Sequence, residues 1–205
     1  MSYVITIGRQ FGCGAREIGN RLAEKMNIAY YDKEIIKRAS KESGFDEDLF
    51  KFYDEKPTSS FLFNVSTDGL IPMNNTGLSL EDQIVQFQFD TIKKVAAEGS
   101  CIIVGRCADY ILRDNKGLVS VFLHADDEYR KNRIVKEYNC SDKDALKQMK
   151  TVDKKRAKFH NFYSENSWGS ASTYDLSIDV SKLGIDSTVD LIAEYVNKAL
   201  TGGMK

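Results

Sequence analysis

Short runs of β-branched and other apolar residues alternate along the chain with longer stretches whose apolar positions recur every three to four residues. This is the pattern of strand–helix–strand units. The runs are continuously apolar rather than alternating, so the strands have no wet face, which predicts a parallel sheet covered by helices on both sides. The first strand is expected over 3–7, then a glycine-rich turn over 8–14, a helix to about Met26 and a short strand over 29–31. The next helix should stop at Gly44, where glycine accepts the left-handed cap conformation, and a short helix over 46–54 puts Phe50 and Tyr53 on one face. Residues 57–77, rich in Ser, Thr, Asn and Gly, read as a loop.

Ser79 and Asp82 have the spacing of a capping box and open a helix to Glu98. Cys101-Ile-Ile-Val104 is the most hydrophobic strand, which places it inside the sheet, closed by Gly105-Arg106. A strand over 119–123 precedes a charged helix over 126–138. Ser141 and Asp144 repeat the capping spacing ahead of a basic helix to about Tyr163. A last strand over 174–179 leads to a terminal helix that Ser187 and Asp190 should start and that ends near Leu200. No internal repeat is found. These elements predict one α/β domain over 1–205 with a five-stranded parallel sheet and excursions at 45–78 and 140–170.

Composition narrows the class. The 205 residues are 42% hydrophobic and 29% charged, with only 2 prolines, which excludes a disordered or low-complexity chain. Twenty-nine basic residues against 30 acidic ones leave a net charge of −1, which argues against a nucleic-acid coat or a polybasic membrane anchor. The four cysteines (13, 101, 107 and 140) form no C-x-x-C pair, and His124 and His160 are far apart, so spacing offers neither a zinc motif nor a disulfide framework. The N-terminal apolar run is too short for a signal-peptide core, and no stretch approaches 18 uninterrupted apolar residues. A reducing cytoplasm is the expected compartment, and a monomer and a homodimer both remain open.

The chemistry concentrates at the first strand-to-helix turn, Gly8-Arg9-Gln10-Phe11-Gly12-Cys13-Gly14-Ala15-Arg16-Glu17. Glycines there let backbone N–H groups approach an anion, and the helix N-terminus adds about half a positive charge. Arg16 could grip a phosphate with two prongs. The match to G-x-x-x-x-G-K-[ST] is incomplete: five residues separate Gly8 from Gly14, Ala15 stands at the lysine position, and neither 16 nor 17 carries a hydroxyl. G-x-G-x-x-G also fails, at Glu17, although Asp32 lies 20 residues past Gly12, where a ribose-binding acid would sit. The turn alone therefore leaves phosphate, a dinucleotide and no ligand as three readings.

Arg106, ending a core strand, should stand at the carboxyl edge of the sheet and meet either an anionic ligand or Asp109. Lys147, Lys150, Lys154, Lys155, Arg156 and Lys158 read first as a solvated helix face and second as a flap carrying cations over phosphates; nucleic-acid binding is disfavoured. Arg130 and Arg133 share a face of the preceding helix. Phe50, Phe52, Tyr53, Phe61 and Phe63 read as packing residues. Neither histidine has the neighbours of a hydrolase triad.

Taken in order, these segments resemble the cytidylate kinase-like family of P-loop nucleoside monophosphate kinases. The resemblance spans nearly the whole chain. It rests on Ile5-Thr6-Ile7-Gly8-Arg9-Gln10-Phe11-Gly12 with Gly14, Arg16-Glu17-Ile18-Gly19, Tyr30-Tyr31-Asp32-Lys33-Glu34, Val104-Gly105-Arg106-Cys107-Ala108-Asp109, Asp153-Lys154-Lys155-Arg156 and Tyr174-Asp175-Leu176-Ser177-Ile178-Asp179. It implies a three-layer P-loop fold with an acceptor region at about 32–100 and a helical lid at about 140–170. It also implies ATP and Mg²⁺, the latter bound through the substrate phosphates, and phosphoryl transfer to a nucleoside monophosphate or related small acceptor. Carried over by position, Gly8, Arg9, Gly12, Cys13, Gly14, Ala15, Arg16 and Glu17 would bind phosphate. Asp32, Arg106 and Asp109 would bind acceptor, Lys154, Arg156 and Lys158 would form the lid, and Arg16 and Arg156 would be catalytic. Cys107 replaces the acid of the family's Gly-Arg-Asp, and two lid arginines read Lys154 and Lys158. Besides the enzyme, the residues admit an inactive nucleotide- or anion-binding module and, more weakly, a dinucleotide-binding protein.

Overall fold

A computed structural model describes residues 2–55 and 79–201. Strand β1 (Val4–Arg9) is central, and β2 (Ala29–Tyr31), β3 (Cys101–Val104), β4 (Leu118–His124) and β5 (Leu176–Asp179) complete an all-parallel sheet ordered β2-β3-β1-β4-β5. β1 runs two residues past its expected end because Gly8 and Arg9 still pair with Phe122 and Leu123 of β4.

Each strand divides its side chains between two apolar layers, as a period of two requires. Ile5, Ile7, Ile102, Val121 and Leu123 pack with α1 (Ala15–Met26) and α8 (Val180–Thr201) through Ile18, Leu22, Val189, Ile192 and Val196. Val4, Cys101 and Ile103 face the other way, onto α4 (Leu80–Glu98), α5 (Ala108–Ile111) and the end of α7 (Asp142–Tyr163), through Val85, Phe89, Ile92, Ala108 and Phe159. The result is a three-layer α/β architecture.

Helix α2 (Glu34–Ser43) ends at Gly44, with φ 75°, and Ser79 and Asp82 form the reciprocal cap of α4. In α3 (Glu47–Tyr53), Phe50 is buried with Ile36 and Ile84, while Phe52 is 59% exposed and sets its ring edge-on against Tyr53 at 4.9 Å. Phe61 and Phe63, with most of the expected loop, lie outside the described residues.

The terminal helix departs from the sequence reading. Helical backbone begins at Val180, breaks at Gly184 (φ 75°, ψ 172°) and resumes ahead of Ser187. Thr188 donates to the Gly184 carbonyl at 2.6 Å, and Asp190 pairs with Lys25 at 2.6 Å instead of capping. Among the described residues no helix is long and apolar enough to cross a membrane.

Candidate functional site

The glycine turn joins β1 to α1. Gly12 and Gly14 have φ of 82° and 90°. A Cβ on Gly12 would meet Ile134 at 2.8 Å and the Arg130 carbonyl at 2.9 Å; one on Gly14 would meet Ile185 at 2.7 Å. Glycine is required at both by conformation and by space. Gly14 caps α1 without a side chain, so the first-turn N–H groups lack the usual hydroxyl or carboxylate partner.

The turn is held from outside by α6 (Asp127–Tyr138) and α7. Asp153 accepts from the Phe11 N–H at 2.7 Å with one oxygen and from Arg130 at 2.5 Å with the other. Arg130 is buried and also donates to the Phe11 carbonyl at 3.3 Å.

A cleft of about 570 Å³ opens against this turn. Arg9, Gly12, Gly14, Ala15, Arg16 and Glu17 line it, with Asp32 and Arg156. Gly8 and Cys13, expected in the phosphate site, do not line it. Gly8 is small because Phe122 would meet its Cβ at 2.9 Å, and the Cys13 thiol lies in the core, where burial pushes its pKa up to about 11. Arg16 donates to Asp32 at 3.2 Å and stands 3.8 Å from Glu137. Glu17 is held by Arg21 at 2.6 Å and Arg133 at 3.0 Å, which neutralises it beside an anion site.

Beside the cleft, guanidinium and carboxylate groups interleave. Glu55, the second residue past α3 and at φ 53°, places one carboxylate oxygen 2.7 Å from Arg9 and the other 3.3 Å from Arg156. Arg106, almost fully buried, donates to Asp54 at 3.2 Å and lies 3.5 Å from Asp32. Burial works to raise the Glu55 carboxyl pKa, but Arg9, Arg156 and Arg106 outweigh it and hold it well below the carboxylate range. Burial raises that of Asp54 against the pull of Arg106. Burial and the charge of Arg9 lower that of Arg156.

The fold thus brings Arg9, Arg16, Asp32, Arg106 and Arg156 together. Asp109 is not with them: it turns to His160 at 2.7 Å, so it neither pairs with Arg106 nor joins the acceptor group. Of the lid residues only Arg156 reaches the cleft; Lys154 and Lys158 are exposed, as are Lys147 and Lys150, because α7 buries the face bearing Met149, Phe159 and Tyr163. With two guanidinium groups near its carboxylate, Asp32 is poorly free to accept a ribose hydroxyl. Sequence reading missed Glu55, Asp54 and the anchoring role of Asp153. The adjacent acids after an aromatic helix were the only signal for the first two, and no local pattern announces a tie between 11 and 153.

A parallel sheet, a glycine turn ahead of α1 and a basic helix above it define the class of P-loop kinase folds. The solved shikimate kinase of Bacteroides thetaiotaomicron superposes with a TM-score of 0.57 over 96% of this chain and 99% of its own, at 13% identity, a likeness of fold. An uncharacterized protein from Eubacterium ventriosum, 30% identical, superposes with a TM-score of 0.71 over 95% of this chain and 98% of its own. Residues 4–182 match the model of the cytidylate kinase-like family, and the chain belongs to that family. The cytidylate kinase of Methanocaldococcus jannaschii is 27% identical over 201 residues, covering 95% of this chain and 97% of that protein.

Proposed function

We propose that the chain is a nucleotide-binding phosphotransferase that moves the γ-phosphoryl group of ATP to a nucleoside monophosphate or a related small acceptor. One observation carries this reading: an uncapped glycine turn opens into a cleft whose wall carries four guanidinium groups, Arg9, Arg16, Arg133 and Arg156. The volume, about 570 Å³, falls within the usual range for small-ligand sites. The donors suit a polyphosphate, since N–H groups and planar guanidinium forks match phosphate oxygens.

Arg16 stands one residue past the missing lysine and supplies the charge Ala15 lacks. Arg156 approaches from α7 and contacts the loop itself, donating to the Arg9 carbonyl at 3.3 Å. Asp32, on the cleft wall, would face the acceptor, and the buried Arg106 beside it, which does not line the cleft, would position that carboxylate. Magnesium fits less directly, because the loop offers no hydroxyl; Asp32 and Glu137 are the carboxylates on this wall able to hold it, and both now face Arg16. Bound with ATP, the ion would supply charge neutralisation to the phosphates. The chain's own part is positioning and charge complementarity.

A second reading, a binding module without turnover, draws on Glu55, whose carboxylate already occupies two of the guanidinium groups. An assay of ADP release with ATP–Mg²⁺ over the common nucleoside monophosphates, run beside ATP thermal-shift titration, separates the readings. ADP release dependent on one acceptor supports the enzyme. Stabilisation by ATP without turnover supports the module, and absence of both overturns the site.

A further inference from the structure

Away from the cleft, we propose that Cys107, Asp109 and His160 form a binding site for a divalent transition ion of the zinc class. Sequence spacing hides this site, since the first two ligands are only one residue apart and the third comes 51 positions later.

The fold assembles it from two elements. At the end of β3, Gly105, Arg106 and Cys107 take successive positive φ values of 76°, 55° and 58°, so the chain coils tightly into α5. Asp109 follows in the first turn of that helix, and His160 descends from the last turn of α7. The Cys107 sulfur, an Asp109 carboxylate oxygen and a His160 ring nitrogen all lie within 4.8 Å of one another. Cys107 is 3% exposed and His160 4%.

The donor set selects the ion. Sulfur and imidazole with one carboxylate suit zinc and its neighbours, whereas magnesium and calcium take oxygen ligands. A thiolate and a carboxylate balance a dication, so a buried site would carry no net charge. His160 turns its Nε2 toward Asp109, and its carbonyl oxygen stands 4.0 Å from the Cys107 sulfur, so the two elements already meet at this point.

Binding requires the Cys107 sulfur to draw in and the Asp109–His160 pair to open, since the three atoms now lie within 4.8 Å of one another. Asp109 and His160 now share a 2.7 Å hydrogen bond. In a tetrahedral site, ligand oxygen and nitrogen stand about 3.3 Å apart, so the pair opens by roughly half an ångström. The Cys107 thiol gives its proton to solvent, the proton of the Asp109–His160 hydrogen bond moves from His160 Nε2 to Nδ1, and the freed Nε2 and Asp109 oxygen each bond the metal, with water in the fourth position. The bound ion would fasten the root of α7, which carries Asp153 and Arg156, to the turn that carries Arg106.

Cobalt(II) added to the full chain after chelator dialysis tests the site. One equivalent should produce a thiolate-to-cobalt charge-transfer band with intense visible absorption, zinc should displace it, and zinc should raise Tm. Cys107→Ser should abolish the band, Cys140→Ser should leave it, and His160→Gln, which keeps the thiol, should weaken cobalt affinity at least tenfold. Absence of the band from the wild-type chain, its survival in Cys107→Ser, or unchanged affinity in His160→Gln overturns the proposal. Should Cys107→Ser fail to fold by circular dichroism, the His160→Gln titration decides.

Discussion

Glu55 concentrates the energetic conflict of the site in one side chain. Its carboxylate sits where a phosphate oxygen would satisfy Arg9 and Arg156, with a backbone φ of 53° that a non-glycine residue rarely adopts. Replacing it by glutamine leaves buried guanidinium groups short of an anion, so Glu55→Gln should lose stability in chloride buffer and recover it in phosphate. Phosphate should raise the variant's Tm by about 2–4 °C more than the wild type's, the shift that roughly 1 kcal/mol produces in a chain of this size. An equal response in both proteins would show that no anion replaces the carboxylate. Arg16→Ala tests the other side of the cleft. ATP affinity should fall by about 1.5–3 kcal/mol, or roughly ten- to 150-fold, read by calorimetric titration. Unaltered affinity would take Arg16 out of the phosphate site.

At the scale of elements, α7 matters for what it ties rather than for the charge it displays. Its outward lysines are solvated, while Asp153 holds the Phe11 N–H and Arg130, and Arg156 holds the Arg9 carbonyl. The glycine turn is therefore braced by α6 and α7 together, through Arg130, Asp153 and Arg156. Asp153→Ala leaves the Phe11 N–H without its partner and the buried Arg130 with only the exposed Asp127 opposite it, and should cost about 2–3 kcal/mol in urea unfolding, more than an ordinary surface change. By contrast, Ser141→Ala removes only the cap that accepts from the Asp144 N–H at 3.2 Å, and should cost about 1 kcal/mol. Similar losses for the two variants would show that the brace contributes nothing beyond helix stability.

For the whole molecule, the buried charge cluster sets an acid-side dependence. The Glu55 pKa is depressed by folding, so its stabilisation is complete above the ordinary glutamate value of 4.5 and drains away as pH falls toward the folded-state value. The difference in unfolding free energy between wild type and Glu55→Gln should be constant near neutrality and shrink below about pH 4.5. Urea midpoints measured at several pH values check this; a difference that grows on acidification would refute the cage.

Alternation of apolar runs with helical periods determined the sheet, nearly every element boundary and the glycine turn, because strand burial, caps and left-handed glycines depend on neighbours within a few residues. The ordered motifs also carried the family. What they could not settle is which charges meet. Arg106 chose Asp54 and Asp32 over the near Asp109, Asp109 chose His160, and Glu55 reached Arg9 across 46 positions. Side-chain pairing at a sheet edge depends on where separate chain segments return in space, and a buried guanidinium takes the carboxylate that packing delivers, whatever its distance along the chain.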